Sequence, residues 1–375
     1  MMREPDFVDE CYADKDLSLL KKLTLVIPTY NRNYYLSRCL WYHAHFPFGE
    51  IIVADSSPEE KKVVNRETVA KVREMFGANV RYLAYEPETE KYGGDIYRKW
   101  GDAVQHVETE YSQICTDKEF QIVTTLCKCI HYLESHLDYT VAGGGRYHLE
   151  FRQKRSYTLT SFAGTIVDKD GWKRLQQFIS SSGFTLLSIH RSKKHKEIYL
   201  NMICNNQDDL RFGEVYLDLL DVIFGKIYNI LDLAITYRDQ LTFNQTNSFS
   251  QKNQESSSFR YQVIWAYPNS EFDSKWTDFK NGIRESLFQE FPDDLCDIEH
   301  NLEPLLQHWL NIRLTRPNPI RKPLRIIYQI CPDSLKLFFQ KVFIQRLNPK
   351  KYFPIDENNP EVKLICQIIE TFQWV

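Results

Sequence analysis

The sequence predicts an α/β fold: a mostly parallel sheet flanked by helices, followed by a C-terminal helical region. Three observations carry that expectation. Short apolar runs alternate with stretches of helical spacing from Leu23 to Cys115, the order that a parallel sheet with crossover helices requires. Runs such as L-T-L-V-I-P-T are apolar almost throughout, as strands covered on both faces are. From residue 259 onward the apolar spacing becomes helical.

Leu23–Thr29 is the first buried strand, closed by Pro28, and Tyr30-Asn31-Arg32-Asn33 is the polar loop after it. Tyr34, Leu36, Leu40 and Trp41 then carry helical spacing. Glu50–Ala54 is the second strand and ends on Asp55-Ser56-Ser57-Pro58, where Ser56 or Ser57 is placed to cap the amphipathic helix Glu59–Phe76. Val80–Tyr85 is the third strand, Gly93-Gly94 a flexible loop and Ile96–Val107 a helix. Tyr111, Ile114 and Cys115 mark the fourth strand, which runs into Asp117-Lys118-Glu119 and is closed by Phe120. The strand ends gather Thr29, Asp55 and Asp117 on the edge where open α/β sheets bind ligands. Two carboxylates one residue apart suit Mg²⁺ or Mn²⁺ bridging to substrate phosphates; solvated turn carboxylates are the plainer alternative.

Farther on, Tyr139–Ala142 is a strand expected to enter a turn at Gly143-Gly144-Gly145, where glycines admit a closely approaching ligand or simply make a hairpin loop. Ser156–Ile166 alternates loosely, and Leu175–Phe178 belongs to a helix after Asp170-Gly171. Gly213-Glu214 opens a helix carrying Leu217, Leu219 and Leu220, with Gly225 eleven residues beyond Glu214. Ile227–Leu233 and Ile235–Asp239 close the domain. The expected division is an arm over 1–20, an α/β domain over 21–240, a polar linker over 241–258 and a helical region over 259–375. Helices are expected at Ile283–Phe291, Ile298–Leu314, Ser334–Leu347 and Val362–Phe372.

Composition narrows the function classes. The 375 residues are 43% hydrophobic and 26% charged, with a net charge of −3. No global basic field points to nucleic acid. No run of about 18 apolar residues predicts a membrane span, and the polar start M-M-R-E-P-D lacks a signal segment, so a cytoplasmic protein is expected. Nine scattered cysteines read as reduced thiols, and His43, His45, His131 and His136 lack a metal-ligand pattern. A basic stretch from Arg313 to Arg325, with Lys350-Lys351, is either a solvated face or a peripheral contact with the inner face of a membrane or a phosphorylated lipid-linked acceptor.

The loop after the first strand is P-T-Y-N-R and contains no G-x-G-x-x-G, which argues against a dinucleotide fold. L-V-I-P-T-Y-N-R, I-I-V-A-D-S-S and Y-S-Q-I-C-T-D-K-E-F, in that order, resemble the nucleotide-sugar-binding half of family 2-like GT-A glycosyltransferases, which have a Rossmann-like sheet. The match is to the bacterial subgroup whose signature reads Asp-Asp-Asp-Phe. The resemblance covers about residues 22–240. It implies nucleotide contacts from Thr29, Tyr30, Arg32 and Asp55, polar contacts from Lys99 and Asp102, and a divalent metal at Asp117 and Glu119. Lys118 replaces the middle acid and adds a cation beside the diphosphate, which weakens the expected metal dependence. Glu214 takes the catalytic base position, with Val215 where the family has Asp and with Asp209 and Asp208 as reserves; a helix N-terminal carboxylate favoured by the macrodipole is the plainer alternative. Arg238, in Tyr237-Arg238-Asp239, resembles the subgroup's Tyr-Arg-Glu ending and is placed either to face the donor phosphates or to pair with Asp239 or Glu214 for structure.

The implied activity is transfer of a sugar from a nucleotide-sugar donor to a glycan, lipid-linked or protein acceptor, with inversion, in surface polysaccharide or glycan assembly. Two rivals stand beside it: a degenerate GT-A domain that binds nucleotide without turnover, and an interaction protein acting through its helical C-terminal region.

Overall fold

In β1 (Leu23–Thr29) and β2 (Glu50–Asp55) every residue is buried, and the two-residue period of a strand sorts their side chains onto two faces. Leu23, Leu25, Ile27, Ile51 and Val53 enter one core; Val26, Ile52 and Ala54 enter a second core on the opposite face. Both faces are therefore covered, as the unbroken apolar runs require. The computed structural model describes residues 11–12, 16–87, 96–151, 155–161, 164–181, 184–207, 212–238, 270–292, 295–314, 356 and 358–371.

The other strands are β3 (Val80–Ala84), β4 (Tyr111–Ile114), β5 (Glu119–Gln121), β6 (Tyr139–Phe151), β7 (Arg155–Ser161), β8 (Ile189–Arg191) and β9 (Lys226–Arg238). They form a nine-stranded sheet in the order β3-β2-β1-β4-β8-β6-β9-β5, with β7 on β6. The β3-β2-β1-β4 half is all parallel, as the sequence predicts. Beyond β4 the sheet becomes mixed, because the three-residue β8 pairs antiparallel with both β4 and β6. β6 and β9 are parallel to each other, and β5 adds antiparallel to β9.

The first core lies under α1 (Asn33–His43), α2 (Glu59–Phe76), α4 (Val123–Ser135) and the C-terminal α10 (Pro360–Thr371). The second lies under α3 (Ile96–Gln105), α5 (Gly171–Ser181), α6 (Ser192–Cys204), α7 (Gly213–Phe224), α8 (Ser270–Glu290) and α9 (Leu295–Leu314). The C-terminal helices thus divide between the two faces. α8 and α9 pack Phe272, Trp276, Phe279 and Trp309 against Phe212 and α7. α10 instead seats Val362, Ile365, Ile368 and Ile369 beside α1 and α4. Buried Glu361 accepts from the Thr124 hydroxyl at the start of α4, and buried Arg38 of α1 donates to the Ile369 carbonyl at 3.3 Å.

Several expectations change on contact with the structure. The glycine run is not a turn: β6 continues through Gly143–Gly145 to Phe151, with a shift of its register on β9 between Gly144 and Arg146. A Cβ on Gly143 would collide with the Ser188 side chain, so glycine here serves a close approach inside the protein. Neither serine caps α2, whose N-cap is Pro58 with no side-chain bond; both serines face the loop after β1 or the helix α3, as described below. Asp117-Lys118-Glu119 closed by Phe120, expected as a turn after the fourth strand, runs instead into the strand β5 from Glu119. Gly93-Gly94, the linker, Ser334–Leu347 and nearly all of the basic stretch lie outside the described residues. No described helix is long and apolar enough to cross a membrane.

Candidate active site

The site is built where β1 and β2 end. After Thr29 the chain bends sharply: Asn31 adopts φ 54°, in the left-handed region that asparagine tolerates better than most residues. Its N–H donates to Ser57 Oγ at 2.8 Å, tying the β1 loop to the β2 loop. The bend turns Arg32 back toward β4, where Nη1 lies 3.3 Å from Asp117 Oδ1. Thr29 Oγ1 donates to Asp117 Oδ2 at 2.9 Å. From α3, the buried Lys99 Nζ donates to Ser56 Oγ at 2.9 Å and to the Thr29 carbonyl at 3.2 Å. Thr29, Arg32, Lys99 and Asp117 therefore form one connected group at the C-terminal edge of the parallel strands, the edge open α/β sheets use for ligands.

Asp55 ends β2 with no exposed surface. Its Oδ1 accepts from the Ser57 N–H at 2.8 Å, and its Oδ2 from Asn65 Nδ2 at 2.7 Å and Tyr82 OH at 2.6 Å. It is a strut that fixes the 55–57 turn and thus the seat of Asn31 and Lys99. Asp102 stands apart, exposed on α3 and held by Tyr85 OH at 2.7 Å. Tyr30 is half-buried at the bend. Arg238 ends β9, paired in register with Glu150. Asp208, Asp209 and Arg211 lie outside the described residues.

Glu119 begins β5 and is also buried. Its Oε1 accepts from Arg146 Nη1 at 2.6 Å and its Oε2 from the Thr116 N–H at 3.1 Å. Arg146 was not legible as a site residue. Its signal is a lone arginine just after the glycines, where the register with β9 shifts, a buried charge that must find a partner. Lys118, between the two acids, is half-buried with Nζ 5.2 Å from the centre of the Tyr35 ring.

A divalent metal is tested by these oxygens. Each oxygen of Asp117 and Glu119 already accepts a hydrogen bond from the protein, and the two side chains are only 1% and 2% exposed. A guanidinium 2.6 Å from Glu119 Oε1 repels a cation at that oxygen. Mg²⁺ and Mn²⁺ need open, regularly arranged oxygens, so the two carboxylates as arranged do not fit the ion. Among the described residues, the group of three potential ligands that does converge is Cys39, His43 and Cys115, within 4.8 Å of one another. It is a satisfied core cluster. His43 Nδ1 donates to the Cys39 carbonyl at 2.8 Å and Nε2 accepts from the Gln121 N–H at 3.3 Å, while burial pushes the Cys39 thiol up and lowers His43 to about 4.

Glu214 opens α7, where the helix dipole favours a carboxylate. Tyr97 OH donates to its Oε2 at 3.5 Å, and Tyr97 is on the same helix as Lys99. Burial, and then the charge of Glu214, raise the Tyr97 hydroxyl well above its ordinary range, keeping it a neutral donor. The approach is close because residue 213 is glycine: a Cβ there would lie 2.6 Å from Tyr97 Cδ2 and 2.8 Å from the Gln207 carbonyl. One turn on, buried Asp218 Oδ1 accepts from the N–H groups of Thr185 and Leu186 at 2.8 and 2.9 Å. Asp221 Oδ2 accepts from Thr185 Oγ1 at 2.6 Å and lies 3.0 Å from His190 Nε2. These bonds lock α7 to the segment before β8. Burial first, and then the nearby Glu214, push the Asp218 carboxyl well above the usual carboxylate range, against the pull of the Thr185 bonds.

The fold and this edge define an α/β protein with a strand-end site lined by cations over buried acids. No family model and no curated protein matches the chain. Among solved structures, it is similar to the crystal structure of S. aureus TarS 1-349, with TM-score 0.42 and 15% identity over 78% of this chain and 89% of that one. It is also similar to the mannosyltransferase PcManGT from Pyrobaculum calidifontis in complex with GDP-Man and Mn²⁺, with TM-score 0.41 and 12% identity over 88% of each chain. TarS 1-349 in complex with UDP-GlcNAc gives TM-score 0.41 and 13% identity over 78% of this chain and 89% of that one. At these values the likeness is one of general outline, and function rests on the side chains.

Proposed function

We propose that the chain is a GT-A glycosyltransferase that moves a sugar from a nucleotide-sugar donor to an acceptor hydroxyl. The observation that carries this reading is the joined cluster Thr29–Asp117–Arg32 with Lys99, set at the C-terminal edge of four parallel strands. Such an edge presents positive charge to an anionic leaving group. Tyr30 and Arg32 of the bend lie against the nucleotide. Asp55 holds the bend in shape; Arg238 is assigned to the donor phosphates on motif resemblance alone, and Asp102, which stands apart from the cluster, is given no donor contact. Glu214 takes the proton of the acceptor hydroxyl, a role that contributes roughly 10²–10⁴ in rate. Asp209 is the reserve base. The anomeric carbon is attacked in line and inverted as the nucleoside diphosphate departs. Because the Asp117 and Glu119 oxygens do not fit a divalent ion, no step is assigned to one.

The acceptor is a glycan, a lipid-linked sugar or a protein, in surface polysaccharide or glycan assembly, with peripheral membrane contact through the basic stretch near residue 320. These finer points rest on motif resemblance. A thermal-shift screen of UDP-, GDP-, CMP- and TDP-sugars tests the donor class, since a ligand that binds only the native state raises its stability. The screen is run with and without Mn²⁺; a raised midpoint with at least one sugar nucleotide is expected, and no shift with any in either condition removes the proposal. Binding without turnover is the second reading, favoured by Lys118 and Val215 at positions where the family carries acids. Release of nucleoside diphosphate separates the two.

A further inference from the structure

We infer that the site binds the diphosphate of its donor without a divalent metal, using Arg32 and Lys118 as the cations that face the ligand. The inference rests on the nucleotide-sugar reading above and deepens it. Four cationic side chains, Arg32, Lys99, Lys118 and Arg146, share the strand-end site with three carboxylates, Asp55, Asp117 and Glu119. Among these described side chains the balance is one net positive charge before any ion is added. In a site that depends on a metal, the acids are the groups that reach the ligand space. Here the order is inverted. Asp117 and Glu119 have 1% and 2% of their side-chain surface exposed, whereas Arg32, paired with Asp117, keeps 46% of its own.

Each buried acid has a structural use that explains its retention. Asp117 orients Arg32 and Thr29, and Glu119 holds Arg146 and the Thr116 N–H. Arg32 is thereby set in a fixed direction by one edge of its guanidinium, leaving the fork's other donors for phosphate oxygens. Lys118 is carried on the same turn, with its ammonium over the Tyr35 ring. Tyr35 is in turn stacked near the guanidinium of Arg38, which α10 holds in place. An ammonium supplies a point charge to a phosphate without directional demand. Together these two groups do for a diphosphate what a bridging ion would do, neutralising charge on both phosphates.

Isothermal titration with UDP and with GDP, in excess EDTA and again with millimolar Mn²⁺, tests this. At least one nucleotide is expected to bind with affinities that agree within about twofold between the two conditions. Arg32→Ala and Lys118→Ala are each expected to weaken it about 10- to 100-fold, the range for a charged hydrogen bond. Arg32 pairs with buried Asp117 and Lys118 is half-buried, so the melting temperature of each variant is measured alongside, and only a variant still folded at the titration temperature counts as evidence on binding. Binding seen only with Mn²⁺ overturns the inference and leaves the transferase reading intact. Metal-free binding that neither substitution weakens also overturns it. If neither nucleotide binds in either condition, this inference falls, and the wider donor screen above decides the transferase reading separately.

Discussion

Arg146 Nη1 lies 2.6 Å from Glu119 Oε1, with 5% and 2% of the two side chains exposed. The pair reaches across β9, since Arg146 is in register with Ala234 and Glu119 with Thr236 of that strand. It anchors the three-residue β5, and with it the turn that carries Asp117 and Lys118, to the middle of the sheet. Removing one partner leaves a buried charge uncompensated. Arg146→Met should cost about 3–5 kcal/mol. The double variant Arg146→Met with Glu119→Gln should recover much of that loss, because it removes both charges. Guanidinium unfolding of the two single variants and the double variant measures the coupling; additive losses would contradict it.

His43 gives the fold an acid-sensitive flank. Its neutral ring is buried, donating to Cys39 and accepting from Gln121, and burial lowers it from 6.5 to about 4. A base with a depressed folded value contributes stability that is full above the unfolded value and is lost as pH falls through the folded one. The window is therefore pH 6.5 down to about 4, and the loss is about 3 kcal/mol. Replacing His43 by Phe should flatten the slope of stability against pH in that window, whatever its effect at neutral pH. An unchanged slope would show that His43 is not the titrating group.

Asp218 acts in the opposite direction. Its carboxyl is raised by burial and by Glu214, so its folded value exceeds the unfolded one. Such a group favours the fold at low pH, and that contribution is lost as pH rises above the ordinary carboxylate range toward the folded value. Asn keeps an oxygen for the Thr185 and Leu186 N–H groups and does not titrate. The stability of Asp218→Asn relative to wild type should therefore improve from pH 4 to pH 8. A difference that does not vary with pH would contradict this.

How far this was readable in advance depends on the range of the forces involved. β1, β2, α2 and the parallel direction of the first four strands were legible, because local apolar runs and helical spacing specify them. Glu214 at the start of a helix was legible for the same reason. The expected turn at Gly143–Gly145 became mid-strand, because Ser188 and Asn229, from distant parts of the chain, crowd the space where a side chain would be. Arg146 and its bond to Glu119 were hidden for a related reason: the pair forms between residues 27 apart on strands separated by a third. The serines at 56 and 57 look like helix caps locally, yet Lys99 and Asn31 take their hydroxyl oxygens. The split of the C-terminal helices between the two sheet faces depends on Arg38 and Thr124 meeting residues more than 200 positions away, which periodicity cannot register.

Gly213 controls how closely α7 approaches α3. Gly213→Ala would press its new methyl on Tyr97 Cδ2 and on the backbone oxygen of Gln207. A cost of about 1–3 kcal/mol is expected from the overpacking. Tyr97 should also move away from Glu214, so turnover should fall more than donor affinity does. Equal falls in both would point to general damage.

The central claim is that a carboxylate at the head of α7 drives sugar transfer. Its direct test is release of nucleoside diphosphate from the donor sugar that stabilises the protein, by wild type and by Glu214→Gln, with a matched acceptor present. The account predicts release by the wild type, a fall of about 10²–10⁴ in the variant, and donor affinity within a few-fold of wild type. Equal release by both proteins, or none by the wild type, would contradict it.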